Sequence, residues 1–110
     1  MTSFSSVADM FNRLGEAFRA EKAKGDKALL AFELGGEGGG SFWMQVVDGN
    51  LTTGTGAAPG EPDLILRASA EDFLKIMNRE MNPMTAFMSG KVKAERNMGM
   101  AMKLMAWFGM

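Results

Sequence analysis

The sequence predicts an α+β domain, and three observations carry that prediction. Five short segments have strand patterning, four have helical spacing, and residues 82–110 hold seven of the chain's 12 methionines. At 110 residues the chain reads as one domain, 1–110, large enough to bury a core without staples.

Ser6 and Asp9 form a capping-box-like start, each offering an oxygen to an orphan amide of a first turn. Val7, Met10, Phe11, Leu14 and Phe18 then recur at helical spacing, with Arg13, Glu16, Arg19, Glu21 and Lys22 opposite. With Gly25 as a stop, the expected helix spans about 7–24.

Ala28 to Leu34 and Phe42 to Val47 read as strands joined across GGEGGG. That glycine run is no phosphate cradle, because a strand follows it and no Gly-Lys-Ser/Thr does. Asp48-Gly49 predicts a tight turn into a short polar strand, Leu51 to Thr55. After a Pro-containing loop, Asp63 to Ala68 gives a fourth strand, whose Leu64-Ile65-Leu66 run predicts burial on both faces.

Ser69 and Asp72 repeat the cap, and Phe73, Ile76, Met77 and Met81 keep helical spacing behind it. Asn82-Pro83 starts another helix, in which Asn caps and Pro sits where its missing amide costs nothing. It carries Met84, Phe87 and Met88 and stops at Ser89-Gly90. Lys91, Lys93 and Glu95 alternate with Val92 and Ala94, which predicts a strand with one exposed face.

Asn97 opens the last helix. A step of roughly 100° per residue puts Met98, Ala101, Met102 and Met105 on one side, with Met100, Leu104 and Trp107 on others. A helix apolar nearly all round must be covered on more than one side. In a domain of this size the sheet can cover only one, so something else must cover the other: a cavity or a second copy of the chain.

The residue types narrow the chemistry. Twelve Lys and Arg oppose 13 Asp and Glu, so no basic field is available to hold nucleic acid. Without Cys, disulfides and thiolate metal sites are excluded. Without His, Cys or Tyr, the usual general base, the best nucleophile and the commonest metal ligand are missing, which points away from an enzyme. Glu71/Asp72, the best carboxylate pair, lie in a helix's first turn, where the dipole explains them. Met98, Met100 and Met102 could suggest copper(I), but a spacing of two turns their sulfurs to opposite sides of a helix. No metal and no cofactor are expected. The N-terminus has no secretory pattern, and no run approaches the roughly 18 apolar residues of a membrane span, so a soluble cytoplasmic protein is expected.

From Pro62 onward, PDLILRASAEDFLKIM, MNPMTAFMSGKVK and NMGMAMKLM follow one another in an order that resembles the sterol carrier protein type-2 domain family. WMQVVDGN resembles that family's central hairpin, and the resemblance covers about residues 7–108. It implies a five-stranded, mostly antiparallel sheet with helices packed on it and an apolar tunnel between. It further implies a non-enzymatic carrier of fatty acid, fatty acyl-CoA, sterol-like lipid or phospholipid that makes transient membrane contact; a homodimer is expected only from the apolar C-terminal helix. Mapped here, the tunnel wall comprises Phe87, Met88, Met98, Met102 and Met105. Met77, Met84, Leu104 and Trp107 join it on spacing and terminal position, although Met77, like Met10 and Met81, also fits ordinary core. Two positions depart from the family: Arg96 stands where a glycine is common, and Ser89 where a larger polar residue is common. No peroxisomal tripeptide ends the chain.

Methionine suits an adaptable lipid wall because its unbranched, polarizable side chain repacks around different shapes. The competing reading is a protein–protein or dimerisation module in which a second copy covers Leu104, Trp107 and Phe108.

Overall fold

The structure is a computed structural model and describes residues 3–110. Its sheet has five strands: β1 (Lys27–Gly35), β2 (Gly40–Val47), β3 (Asn50–Thr55), β4 (Leu64–Ser69) and β5 (Val92–Arg96). Their spatial order is β3-β2-β1-β4-β5, with β1 and β4 parallel and the other three pairings antiparallel. Four α-helices accompany it: α1 (Val7–Asn12), α2 (Ala70–Met77), α3 (Pro83–Met88) and α4 (Met98–Trp107). The α+β expectation holds.

Period-two alternation decides which sheet face is covered. Leu30, Phe32, Leu34, Met44, Val46, Leu64 and Leu66 are buried under the helices. Phe11 stacks on Phe42 with centroids 4.5 Å apart and meets Phe32 edge-on at 5.4 Å, while Phe32 also meets Phe73 of α2 at 5.4 Å. The other face carries Glu33, Ser41, Trp43, Gln45 and Arg67, all exposed or half-buried. Ile65 falls on that side and is only half-buried, so the expected two-sided burial of Leu64-Ile65-Leu66 is corrected. Trp43 lies against Gly54 of β3, where an added Cβ would sit 2.5 Å from the indole. That contact explains a glycine inside a strand.

The turn at Asp48-Gly49 forms as expected, with φ of 47° and 82° at its two central residues. The caps also form. Ser6 Oγ accepts from the Asp9 amide at 3.0 Å, and Ser69 Oγ from the Asp72 amide at 3.0 Å. Asn82 Oδ1 accepts from the Met84 and Thr85 amides at 2.9 and 3.1 Å.

The expected helix over 7–24 does not. It ends at Asn12 and gives way to two short 3₁₀ turns, Leu14–Glu16 and Ala20–Lys22. Gly15 weakens a helix interior, and tertiary bonding completes the break. The Arg19 amide donates to the Trp107 carbonyl at 2.7 Å, which replaces the bond a continuous helix would give it. Phe18 still reaches the core, 5.7 Å from Phe108, so the apolar spacing was right although its helical reading was not.

α4 is fixed at both ends. At its entry, Arg96 takes φ 76°, a left-handed conformation unfavourable to a residue with a side chain. Its guanidinium donates to Glu61 and to the Pro62 carbonyl, both at 2.9 Å, and the Asn97 amide donates to the Asp63 carbonyl at 3.0 Å. Surrounding bonds of this kind are what let a strained residue persist. At its exit, Arg79, itself at φ 62°, donates to the Phe108 and Gly109 carbonyls at 3.0 and 3.1 Å. Both carbonyls lie just past the last helical residue, so these bonds hold the chain where it leaves α4.

Asp26 completes the exit clamp. Its carboxylate accepts from Lys103 Nζ at 2.8 Å and from Trp107 Nε1 at 2.9 Å. Both donors hold its carboxyl below the usual carboxylate range, the Lys103 bond most of all. A depressed pKa in the folded state contributes stability above the ordinary carboxylate pKa and loses it as pH falls through the depressed value. Asp26→Ala leaves the fully buried Trp107 N–H without a partner and is expected to cost about 1–3 kcal/mol in urea unfolding. The same clamp predicts that acid below about pH 4 loosens α4, with a smaller acid effect in Asp26→Asn.

Candidate functional site

Between α2, α3, β5 and α4 lies a cavity of about 180 Å³. Its floor is Leu66 of β4 and Val92 of β5. Its sides are Phe73, Ile76 and Met77 of α2 and Pro83, Met84 and Phe87 of α3. Met98, Ala101, Met102, Leu104 and Met105 of α4 close it, with Met110 beyond. No lining side chain is titratable, so the site offers apolar surface and thioether sulfur and no acid, base or nucleophile.

The helical step explains this wall. Met98, Ala101, Met102 and Met105, expected on one side of α4, all line the cavity. Trp107 turns toward the protein's own core at 0% exposure, and Leu104, at 7%, sits where core and cavity meet. The two-sided cover that the sequence required is therefore core on one side and cavity on the other.

Of the nine residues expected in the wall, seven line the cavity: Met77, Met84, Phe87, Met98, Met102, Leu104 and Met105. Two do not. Met88 points outward from α3 and is 82% exposed. Trp107 is buried and spends its N–H on Asp26. The dimer seam expected from Leu104, Trp107 and Phe108 is occupied by the chain's own core, where all three are buried. Phe73, Ile76, Pro83 and Val92 were not expected in the wall. Phe73 and Ile76 share the apolar face of α2 with Met77, and that periodicity alone does not separate a cavity-facing residue from a core one.

The mouth is less well covered than the floor. Met84, Phe87, Met98 and Met102 are among the large apolar side chains that remain exposed. α3 has six residues, only Ala86 of them buried, and it leans on β5. With a single buried residue, α3 contributes little burial to the fold. A cavity of about 180 Å³ is smaller than the roughly 300–1,000 Å³ of ordinary small-molecule pockets. A long ligand therefore requires the methionines, α3, or both to move apart.

Comparison with known proteins places this geometry. Residues 11–109 match the SCP-2 sterol transfer family. Hydroxysteroid dehydrogenase-like protein 2 of Rattus norvegicus is 31% identical over 101 residues, which are 92% of this chain and 19% of that protein. The chain thus spans about a fifth of that relative's length. Among solved structures, the sterol carrier protein domain 2 of Helicoverpa armigera is similar at TM-score 0.62 and 28% identity, covering 88% of this chain and 74% of that one. The apo form of sterol carrier protein 2 from Yarrowia lipolytica is similar at TM-score 0.59 and 27% identity, covering 92% and 80%.

The division of α4 into core and mouth has a measurable consequence. Leu104→Ala removes packing from a buried position and is expected to cost about 2–4 kcal/mol. Met102→Ala, at a position 57% exposed, is expected to change stability by less than about 1 kcal/mol. Paired urea titrations of the two variants measure the contrast.

Proposed function

The chain belongs to the SCP-2 sterol transfer family, and we propose that its cavity carries a single-chain lipid, a fatty acid or fatty acyl group, held by the methionine wall of α4. The observation that carries this reading is the cavity lining, wholly apolar and supplied on one side by Met98, Met102 and Met105. Each buried methylene is worth about 0.8 kcal/mol, so about ten of them would contribute roughly 8 kcal/mol before ordering costs. Affinity at that scale needs no polar anchor, which fits a lining without charge.

Methionine also sets the expected selectivity. Flexible thioether side chains adapt to chain length and unsaturation, so discrimination between acyl chains is expected to be loose. The small cavity volume favours a slender chain over a fused ring system and places sterols behind fatty acids in affinity.

The role proposed is carriage without catalysis, because nothing in the lining can donate or accept a proton in a reaction. In the much longer relative, this domain occupies a fraction of the protein. A carrier of this kind could hold a lipid for a catalytic partner; that role is part of the proposal.

A fluorescent fatty acid titrated into the purified protein should show saturable uptake at micromolar protein. Met102→Glu combined with Met105→Glu should abolish uptake and leave the circular-dichroism spectrum and oligomeric state unchanged. Wild-type protein that takes up neither fatty acid nor sterol analogue would contradict the reading.

A further inference from the structure

The mouth of the cavity is built from the side chains of this protein that an oxidant attacks most readily. The chain has no cysteine to react first, so the thioether sulfur of methionine is the preferred target of a peroxide, and exposure decides which methionines it reaches. Three groups stand apart. Met10 and Met44 are buried in the core, away from the cavity. Met84, Met98 and Met102 are 48%, 48% and 57% exposed and also line the cavity. Met88 is more exposed still and does not line it.

The lining cannot accommodate the oxidised product. No lining side chain carries an N–H or O–H, so a sulfoxide oxygen turned inward meets no side-chain donor. Burying a polar group without a hydrogen bond is unfavourable. The oxidised side chain must therefore bring water into the cavity or swing out and leave the wall incomplete. Either outcome takes apolar surface away from an acyl chain. The fold does not depend on these side chains in the same way, because α4 is held at its ends by Asp26, Arg79 and Arg96.

We propose that Met84, Met98 and Met102 form a reversible oxidation site through which hydrogen peroxide stops the cavity from loading lipid. A sulfur lone pair attacks one peroxide oxygen and the O–O bond breaks. The hydroxide that leaves takes the proton from the new S–OH, giving S=O and water. Sulfur loses two electrons and the peroxide gains them. Methionine sulfoxide reductases return the sulfoxide to the thioether. The site itself rests on exposure and lining; the loss of loading rests on the carrier reading above. Met88 serves as an internal control, because its oxidation changes no part of the wall.

Graded hydrogen peroxide followed by peptide mass spectrometry should place one oxygen on Met84, Met88, Met98 and Met102 while Met10 and Met44 stay unmodified. Partly oxidised protein is then passed over an agarose resin bearing a fatty acyl chain. The unretained fraction should be enriched in sulfoxide at Met84, Met98 or Met102, whereas Met88 sulfoxide should divide evenly between the fractions. Affinity of the unretained fraction for a fluorescent fatty acid should be about tenfold or more below that of untreated protein, with an unchanged circular-dichroism spectrum. Methionine sulfoxide reductases with dithiothreitol should restore it. Untreated protein that takes up no fatty acid would overturn the carrier reading and this switch together. Normal uptake before treatment that survives sulfoxidation at the mouth would overturn the switch alone. So would mouth methionines that stay unmodified at doses that oxidise Met88, or a loss of uptake that accompanies unfolding or resists the reductases.

Discussion

Everything at the site depends on how α4 is held. The helix is apolar on nearly every side, and left to itself it would turn whichever face buried most surface toward the sheet. Asp26 removes that freedom. By accepting from Lys103 and Trp107 it fixes the rotation of the last turns, so Trp107 and Leu104 point inward. Arg79 secures the carbonyls at the exit, and Arg96, bonded to Glu61 and Pro62, fixes the entry. With the ends pinned and the rotation set, Met98, Met102 and Met105 line the cavity, Met98 and Met102 at its exposed mouth.

The result is a rigid frame around a soft wall. The aromatic cluster of Phe11, Phe32, Phe42 and Phe73 anchors one end of the layer between sheet and helices. The cavity occupies the other end, where α3 contributes little buried surface. Stability and adaptability are therefore placed in different parts of the same layer. Unbranched methionines on a fixed helix can rearrange around a guest without disturbing the backbone that carries them.

Much of this was legible in the sequence, and the failures have specific causes. Side-chain caps at Ser6, Ser69 and Asn82, the Asp48-Gly49 turn and the alternation in β5 are local signals, and all of them form. The surplus of apolar surface on α4 called for a second cover beside the sheet, and in the structure a cavity lies against that side. What local pattern could not reveal was bonding between distant residues. The first helix does not run on to residue 24, since the Arg19 amide bonds to Trp107 instead of to its own helix, and Trp107 leaves the wall because Asp26, 81 residues away, takes its N–H. A buried tryptophan needs an acceptor, which gives a reason to suspect one but no means of finding it. Met88 entered the expected wall through the family mapping, and the structure turns it outward on a short helix in which only Ala86 is buried.

The central claim is that the α4 methionines form the ligand-contacting wall and that the sheet-side methionines do not. Methyl NMR of protein labelled at the methionine ε-carbons, recorded during fatty-acid titration, tests it directly. The account predicts that Met98, Met102 and Met105 shift progressively to saturation, while Met10 and Met44, buried in the core away from the cavity, stay in place. Saturating binding that leaves those three α4 methyls unmoved would contradict it.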